Sequence, residues 1–127
     1  MRKLTLIILS AIFALGLAGC TNQPVLSEED QAAVKYHDKS LEGQIEVVDI
    51  KRNYTGDLLR VQTTFENRSA FSTKYQYKFR WFDDQGFEVA PDRSPWKPVN
   101  TPGRGTHTVQ ATAPNPSATH VEIWFKQ

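Results

Sequence analysis

Histidines are the residues in this chain best suited to metal binding or acid–base chemistry, and there are only three of them, His37, His107 and His120. His107 and His120 each stand near the start of a predicted strand, and two neighbouring strands would bring them together with Glu122. No HExxH-like or paired spacing supports a metal site. We therefore predict no metal ligands and no cofactor, and interpret these histidines as partly exposed strand-end residues.

The only cysteine, Cys20, closes a segment with the three parts of a secretory signal. The basic pair Arg2-Lys3 begins it, residues 4–17 are apolar, and the small pair Ala18-Gly19 precedes the thiol. The apolar run is shorter than the about 20 residues that a membrane helix needs. An uncleaved anchor helix and a secreted protein with a free thiol remain alternatives, but the small residues before the cysteine fit them less well.

The run Leu17-Ala18-Gly19-Cys20 resembles the lipobox of bacterial lipoproteins. The resemblance implies cleavage before Cys20 and a lipid on its thiol, with two or three acyl chains such as palmitate in all. Because each buried methylene contributes about 0.8 kcal/mol, two or more chains anchor a protein lastingly. Thr21 stands where an Asp usually retains Gram-negative lipoproteins at the inner membrane, so the resemblance implies the periplasm-facing leaflet of the outer membrane.

A catalytic set is not evident in the remaining residues. A lipidated Cys20 cannot act as a nucleophile, and a hydrolase also needs a base and an orienting group. The pair Asp83-Asp84 stands just before Gly86 and indicates a turn, because adjacent strand-end carboxylates point in opposite directions. We therefore expect no catalytic residues and no enzymatic activity.

Charge and composition indicate a single domain attached to a tether. The chain has 15 basic and 14 acidic side chains. Removal of residues 1–20, which include Arg2 and Lys3, leaves 13 basic and 14 acidic side chains. This near balance does not support a nucleic-acid partner. Residues 21–40 are polar without alternation and predict a tether, in which Ser27 could cap a short helix ending near Lys35. Residues 41–127 are the predicted domain.

The domain has the two-residue period of β-strands. In the clearest strand four aromatic residues alternate with polar ones, which predicts one buried and one wet face: Tyr75, Tyr77, Phe79 and Trp81 against Lys74, Gln76, Lys78 and Arg80. About seven short strands separated by turns predict an all-β fold, an immunoglobulin-like antiparallel β-sandwich. Its only thiol is assigned to the lipid, so the core alone must hold it together. Pro95 and Pro98 obstruct strand pairing at one edge, so we expect a monomer.

Two features of the wet face are candidates for partner binding. Lys74, Lys78 and Arg80 form a basic stripe, which Arg60 could extend, and such a stripe could meet an anionic envelope polymer. Trp124 lies on the polar side of the last predicted strand, and exposed tryptophans are enriched at interfaces. The alternatives are an ordinary solvated sheet face and a Trp124 covered by a loop such as the one that holds Trp96.

The run YQYKFRWFDDQGFEVAPD over residues 75–92, with Trp96, Pro102-Gly103 and Ala113-Pro114, resembles the YcfL-like outer-membrane lipoproteins. The resemblance covers residues 45–127 and the lipobox. It implies a small β-sandwich of uncharacterised function, and no catalytic residues transfer with it. The gene neighbourhood of that family hints at envelope biogenesis.

These observations predict a non-enzymatic lipoprotein, anchored in the outer membrane through Cys20, that binds an envelope protein or the cell wall. The alternatives are a small cell-wall or lipid-modifying enzyme and a structural envelope-assembly lipoprotein.

Overall fold

The computed structural model describes residues 26–127. The signal segment, Cys20 and the first part of the predicted tether lie outside these residues, so their predicted roles stay predictions. Among the described residues, no helix has the length and apolar character that crossing a bilayer requires.

Residues 26–127 form eight strands in two sheets, together with one short α-helix and two single-turn 3₁₀ helices, Lys39–Leu41 and Pro91–Arg93. The helix is α1 (Glu28–Ala33), and the strands are β1 (Val34–Tyr36), β2 (Ile45–Thr55), β3 (Leu58–Asn67), β4 (Thr73–Phe82), β5 (Glu88–Val89), β6 (Lys97–Thr101), β7 (Thr106–Thr112) and β8 (His120–Lys126). In the five-stranded sheet β1, β8 and β4 lie side by side, and β5 and β6 both pair with β4. The other sheet has the order β2, β3, β7. The predicted all-β sandwich is confirmed.

Aromatic rings join the two sheets. Phe65 of β3 is fully buried, and its ring lies 4.8 Å from Phe125 of β8 and 5.3 Å from Tyr77 of β4, both edge to face. The four aromatics predicted to face inward on β4 are all buried, and so are Val121 and Ile123 of β8. Alternation therefore predicted the core correctly where one face of a strand is dry.

The first hairpin has a two-residue turn. Strand β2 continues to Thr55, β3 begins at Leu58, and the turn consists of Gly56 and Asp57. Gly56 has a φ of +62°, as its residue type suggested. A shift in register between Val47 and Asp49 places a bulge at Val48, so the apolar pair Val47-Val48 interrupts the alternation.

Regular structure begins before the predicted boundary between tether and domain at residues 40 and 41. Ser27 caps α1 as expected, accepting a hydrogen bond from the Asp30 amide at 3.1 Å, and Asp30 forms an ion pair with Arg52 of β2. The chain continues as β1, which pairs in parallel with β8. The sequence did not predict β1, because a strand of three residues is too short to show alternation and its partner β8 lies far along the sequence.

Tyr36 secures β1 to the other sheet. Its hydroxyl donates a 2.5 Å hydrogen bond to the Ile45 carbonyl. Burial, with Glu46 and Glu42 nearby, raises the pKa of Tyr36 to about 12. The tyrosine therefore stays neutral and keeps this hydrogen bond at physiological pH.

Phe65→Ala should destabilise the domain by about 3–5 kcal/mol, because it removes a ring that contacts both sheets and leaves a cavity. Urea unfolding followed by tryptophan fluorescence measures the change. Thr106→Ala, at an exposed position of β7, is the control and should change stability by less than about 0.5 kcal/mol. Equal effects of the two substitutions would contradict the central place of Phe65.

Candidate functional site

The predicted binding residues lie together on the solvent-facing side of the five-stranded sheet, here called the outer face. Lys74, Lys78 and Arg80 alternate along β4 with the buried aromatics. Trp124 of β8 lies directly opposite Lys78, and Lys35 of β1 lies beside Trp124 on its other side. The register thus forms a row in which a tryptophan lies between two lysines.

Arg80 is held by a carboxylate on the neighbouring strand. Its Nε and Nη2 donate to the two carboxylate oxygens of Glu88 at 3.0 and 2.8 Å. These hydrogen bonds lower the pKa of Glu88 against the opposing effect of burial, and they raise the pKa of Arg80. Because Glu88 neutralises its charge, Arg80 contributes less to a basic stripe than the sequence predicted.

Arg80 and Glu122 fix Trp124 on the outer face. The guanidinium carbon of Arg80 lies 5.1 Å from the centre of the Trp124 ring, within the range of a cation–π contact. The indole Nε1 donates a 3.0 Å hydrogen bond to Glu122. Trp124 is therefore half-buried with a defined orientation.

Trp96 reaches the outer face from the proline-rich loop, but its close contacts are with lysines. Its ring centre lies 4.7 Å from the Lys78 ammonium and 4.6 Å from that of Lys126, and the His37 ring meets it edge-on at 6.3 Å. Sequence reasoning suggested Trp96 only as a cover for Trp124. The loop has no periodicity, so nothing in the sequence indicated that Trp96 would contact these lysines.

Lysine supplies the free positive charge of the outer face. Within residues 26–127, no carboxylate oxygen lies within 4.0 Å of the ammonium groups of Lys35, Lys74, Lys78 or Lys126. Arg60 does not join them, because it belongs to β3 in the other sheet, where its Nε donates to Asn53.

The two strand histidines do not meet. His107 lies on β7 and His120 on β8, which belong to different sheets. No cluster of three or more potential metal ligands occurs in the part of the chain that the structure describes. Asp83 forms the predicted turn, since its side chain accepts hydrogen bonds from the amides of Gln85 and Phe87.

A family model described as a protein of unknown function, DUF1425, matches residues 32–127, which include all of β1 to β8 and the outer face. The chain belongs to the DUF1425 family. The match begins inside α1, in agreement with the structural start of the domain. No curated protein matches this chain.

Solved structures support the fold of this DUF1425 protein. A DUF1425 family member from Shewanella sp. pv-4 is 26% identical, with a TM-score of 0.61 over 65% of this chain and 77% of that one. The cj0090 protein of Campylobacter jejuni is 16% identical, with a TM-score of 0.59 over 73% of this chain and 95% of that one. The second likeness concerns the fold alone.

Glu88→Gln should cost about 1 kcal/mol of stability at pH 7, because it removes the charged acceptor of two hydrogen bonds. The folded-state pKa of Glu88 is lowered, so this stabilisation is present above the unfolded pKa and is lost as pH falls through the folded one. The stabilities of wild type and variant, measured by urea unfolding, should therefore converge as the pH falls through the folded-state pKa of Glu88. Glu42→Gln, at an exposed position, serves as the control. A difference that persists in acid would show that the ion pair is not its source.

Proposed function

We propose that this DUF1425 protein is a YcfL-like lipoprotein of the outer membrane that binds another envelope component without catalysis. The lipobox ending at Cys20 supports the anchor, and Thr21 supports the outer membrane as its location. The bound component is an envelope protein or a cell-wall polymer, and the outer face is the surface that binds it.

The observation that carries the proposal is the pairing of oriented tryptophans with uncompensated lysines on one sheet face. Trp124 is half-buried and fixed by Arg80 and Glu122, so little conformational entropy remains to be lost on binding. Trp96 and the lysines beside it offer aromatic surface next to positive charge. An anionic partner with apolar groups complements such a face.

Cys20→Ser should abolish lipid attachment and cleavage. Incorporation of radiolabelled palmitate, gel mobility of the precursor and separation of inner from outer membranes measure the two steps and the location. The wild-type chain should carry label in the outer-membrane fraction, and the variant should be unlabelled and uncleaved. Labelling or processing of the variant would contradict the proposed anchor.

Partner binding by the outer face is tested in cells with a photo-crosslinking amino acid at Gln76, which lies on this face of β4. We expect one dominant adduct, and Trp124→Ala should weaken it by roughly tenfold. The matched site is Gln62 of β3, on the corresponding face of the other sheet, which should give no adduct. An adduct unaffected by Trp124→Ala would exclude this surface. Turnover of peptidoglycan fragments by the purified protein would instead favour an enzyme.

A further inference from the structure

Phe71 is the most exposed large hydrophobic residue of the described chain, with 79% of its surface accessible to solvent. It lies in the β3–β4 loop, here called the Phe71 loop (residues 68–72). The loop leads into β4 next to the end of β8, whereas α1 contacts β8 near its start. Phe71 therefore stands at the end of the sandwich opposite to the helix through which the chain enters the domain.

The Phe71 loop is held by an extensive set of hydrogen bonds. Asn67 is fully buried, and its side-chain amide donates to the carbonyl oxygens of Phe71 at 2.9 Å and Thr101 at 3.0 Å. Its Oδ1 accepts from the Ser69 amide at 3.0 Å, and the Ser69 hydroxyl accepts from the Phe71 amide at 3.0 Å. The backbone on both sides of Phe71 is thus fixed although its ring lies in solvent.

A second loop supports the first. In the β6–β7 loop (residues 102–105), Arg104 has a φ of +61°, a left-handed conformation that non-glycine residues rarely adopt. Its amide donates to the Ser69 carbonyl at 2.9 Å, and its guanidinium donates to the Arg68 carbonyl. Any side chain at Gly103 would collide with the backbone of Ala70. Strained residues of this kind persist where the surroundings over-determine them, and they cluster at functional sites.

The chemistry of these two loops indicates which kind of partner surface is complementary to them. A benzyl group has no polar atom, so it gains from association only by entering an apolar pocket. The two loops contain Arg68 and Arg104 and no acidic residue. Arg68 pairs with Glu46 of β2, whereas no carboxylate in residues 26–127 lies within 4.0 Å of the Arg104 guanidinium. A pocket with carboxylates on its rim would complement both the ring and this charge.

We propose that Phe71 is a preorganised anchor for a protein partner whose surface has an apolar pocket with an acidic rim. The loop is already fixed in the free protein, so binding costs little ordering entropy. The surface differs from the outer face on which the proposed function rests, and it requires no lipid on Cys20. Either surface can therefore fail its test without affecting the other.

Phe87 provides a matched control. It is similarly exposed, at 68%, but it lies at the other end of the sandwich, in the β4–β5 turn beside Asp83 and Asp84. Nonspecific hydrophobic association would affect both phenylalanines equally. An effect of the proposed site would be confined to Phe71.

The experiment places p-benzoylphenylalanine at position 71 or at position 87 of the full-length chain in cells of its own host, with mass spectrometry of the adducts. Position 71 should yield one discrete protein adduct, with the crosslink beside Asp or Glu residues, and position 87 should not. The identified protein is then purified and titrated with the full-length chain. Phe71→Ala and Arg104→Glu should each weaken binding by roughly tenfold or more, and Phe87→Ala by less than about twofold. The thermal midpoints of the variants check that they are folded.

The proposal is overturned by the absence of a discrete adduct at position 71 or by the same adduct from both positions. It is also overturned by an adduct with the mass of a second copy of this chain, or by one that carries glycan instead of protein. Unchanged affinity of folded Phe71→Ala would overturn it as well. Loss of affinity with Phe71→Ala but not with Arg104→Glu would disprove the acidic rim.

Discussion

The side chain of Asn67 is fully buried, and a buried amide is costly unless its hydrogen bonds are satisfied. Asn67 ends β3 in one sheet, while the Thr101 carbonyl that accepts from it ends β6 in the other. The Thr101 hydroxyl in turn is 2.7 Å from that of Tyr75 in β4. These bonds couple both sheets and two loops at one end of the domain. The loops cannot rearrange without leaving polar groups unpaired in the interior, so one arrangement is strongly favoured.

Two kinds of interaction therefore have different roles in this domain, one in packing and one in orienting exposed groups. Aromatic packing around Phe65 holds the sheets together without a disulfide, while polar networks orient the groups that face solvent. On the outer face the Arg80–Glu88 pair lies beside Trp124 and orients its ring. At the end of the sandwich, Asn67 determines the position of Phe71. In both places buried or half-buried polar groups position an aromatic residue, through its ring at Trp124 and through its backbone at Phe71, an arrangement suited to binding.

The sequence predicted the fold where a strand has one dry and one wet side. The aromatic alternation of β4 indicated both the core residues and the outer-face cations, and the structure places these cations on one face with Trp124. The parallel strand β1 could not be predicted, because it is three residues long and pairs with residues about 90 positions away. For the same reason the predicted tether includes the residues that form β1.

Pairings between side chains were the least predictable part of the site. Glu88 neutralises Arg80 only because a turn folds β5 back onto β4, and Trp96 reaches the lysines through a loop without any period. Nothing in the sequence indicated a role for Phe71, since a single phenylalanine among small polar residues forms no repeating pattern. What makes it notable is its exposure on a fixed loop, and that depends on contacts with residues more than 30 positions away.

Hydrogen exchange measured by NMR tests this account most directly, at the backbone amides of Ser69, Phe71 and Arg104. Each of these amides donates to an acceptor within the Asn67 network. If the network fixes the two loops, the three amides exchange as slowly as those in the middle of β3 and β4. Exchange at the rate of an unstructured peptide would contradict the account, because the loops would then open freely although Asn67 is buried.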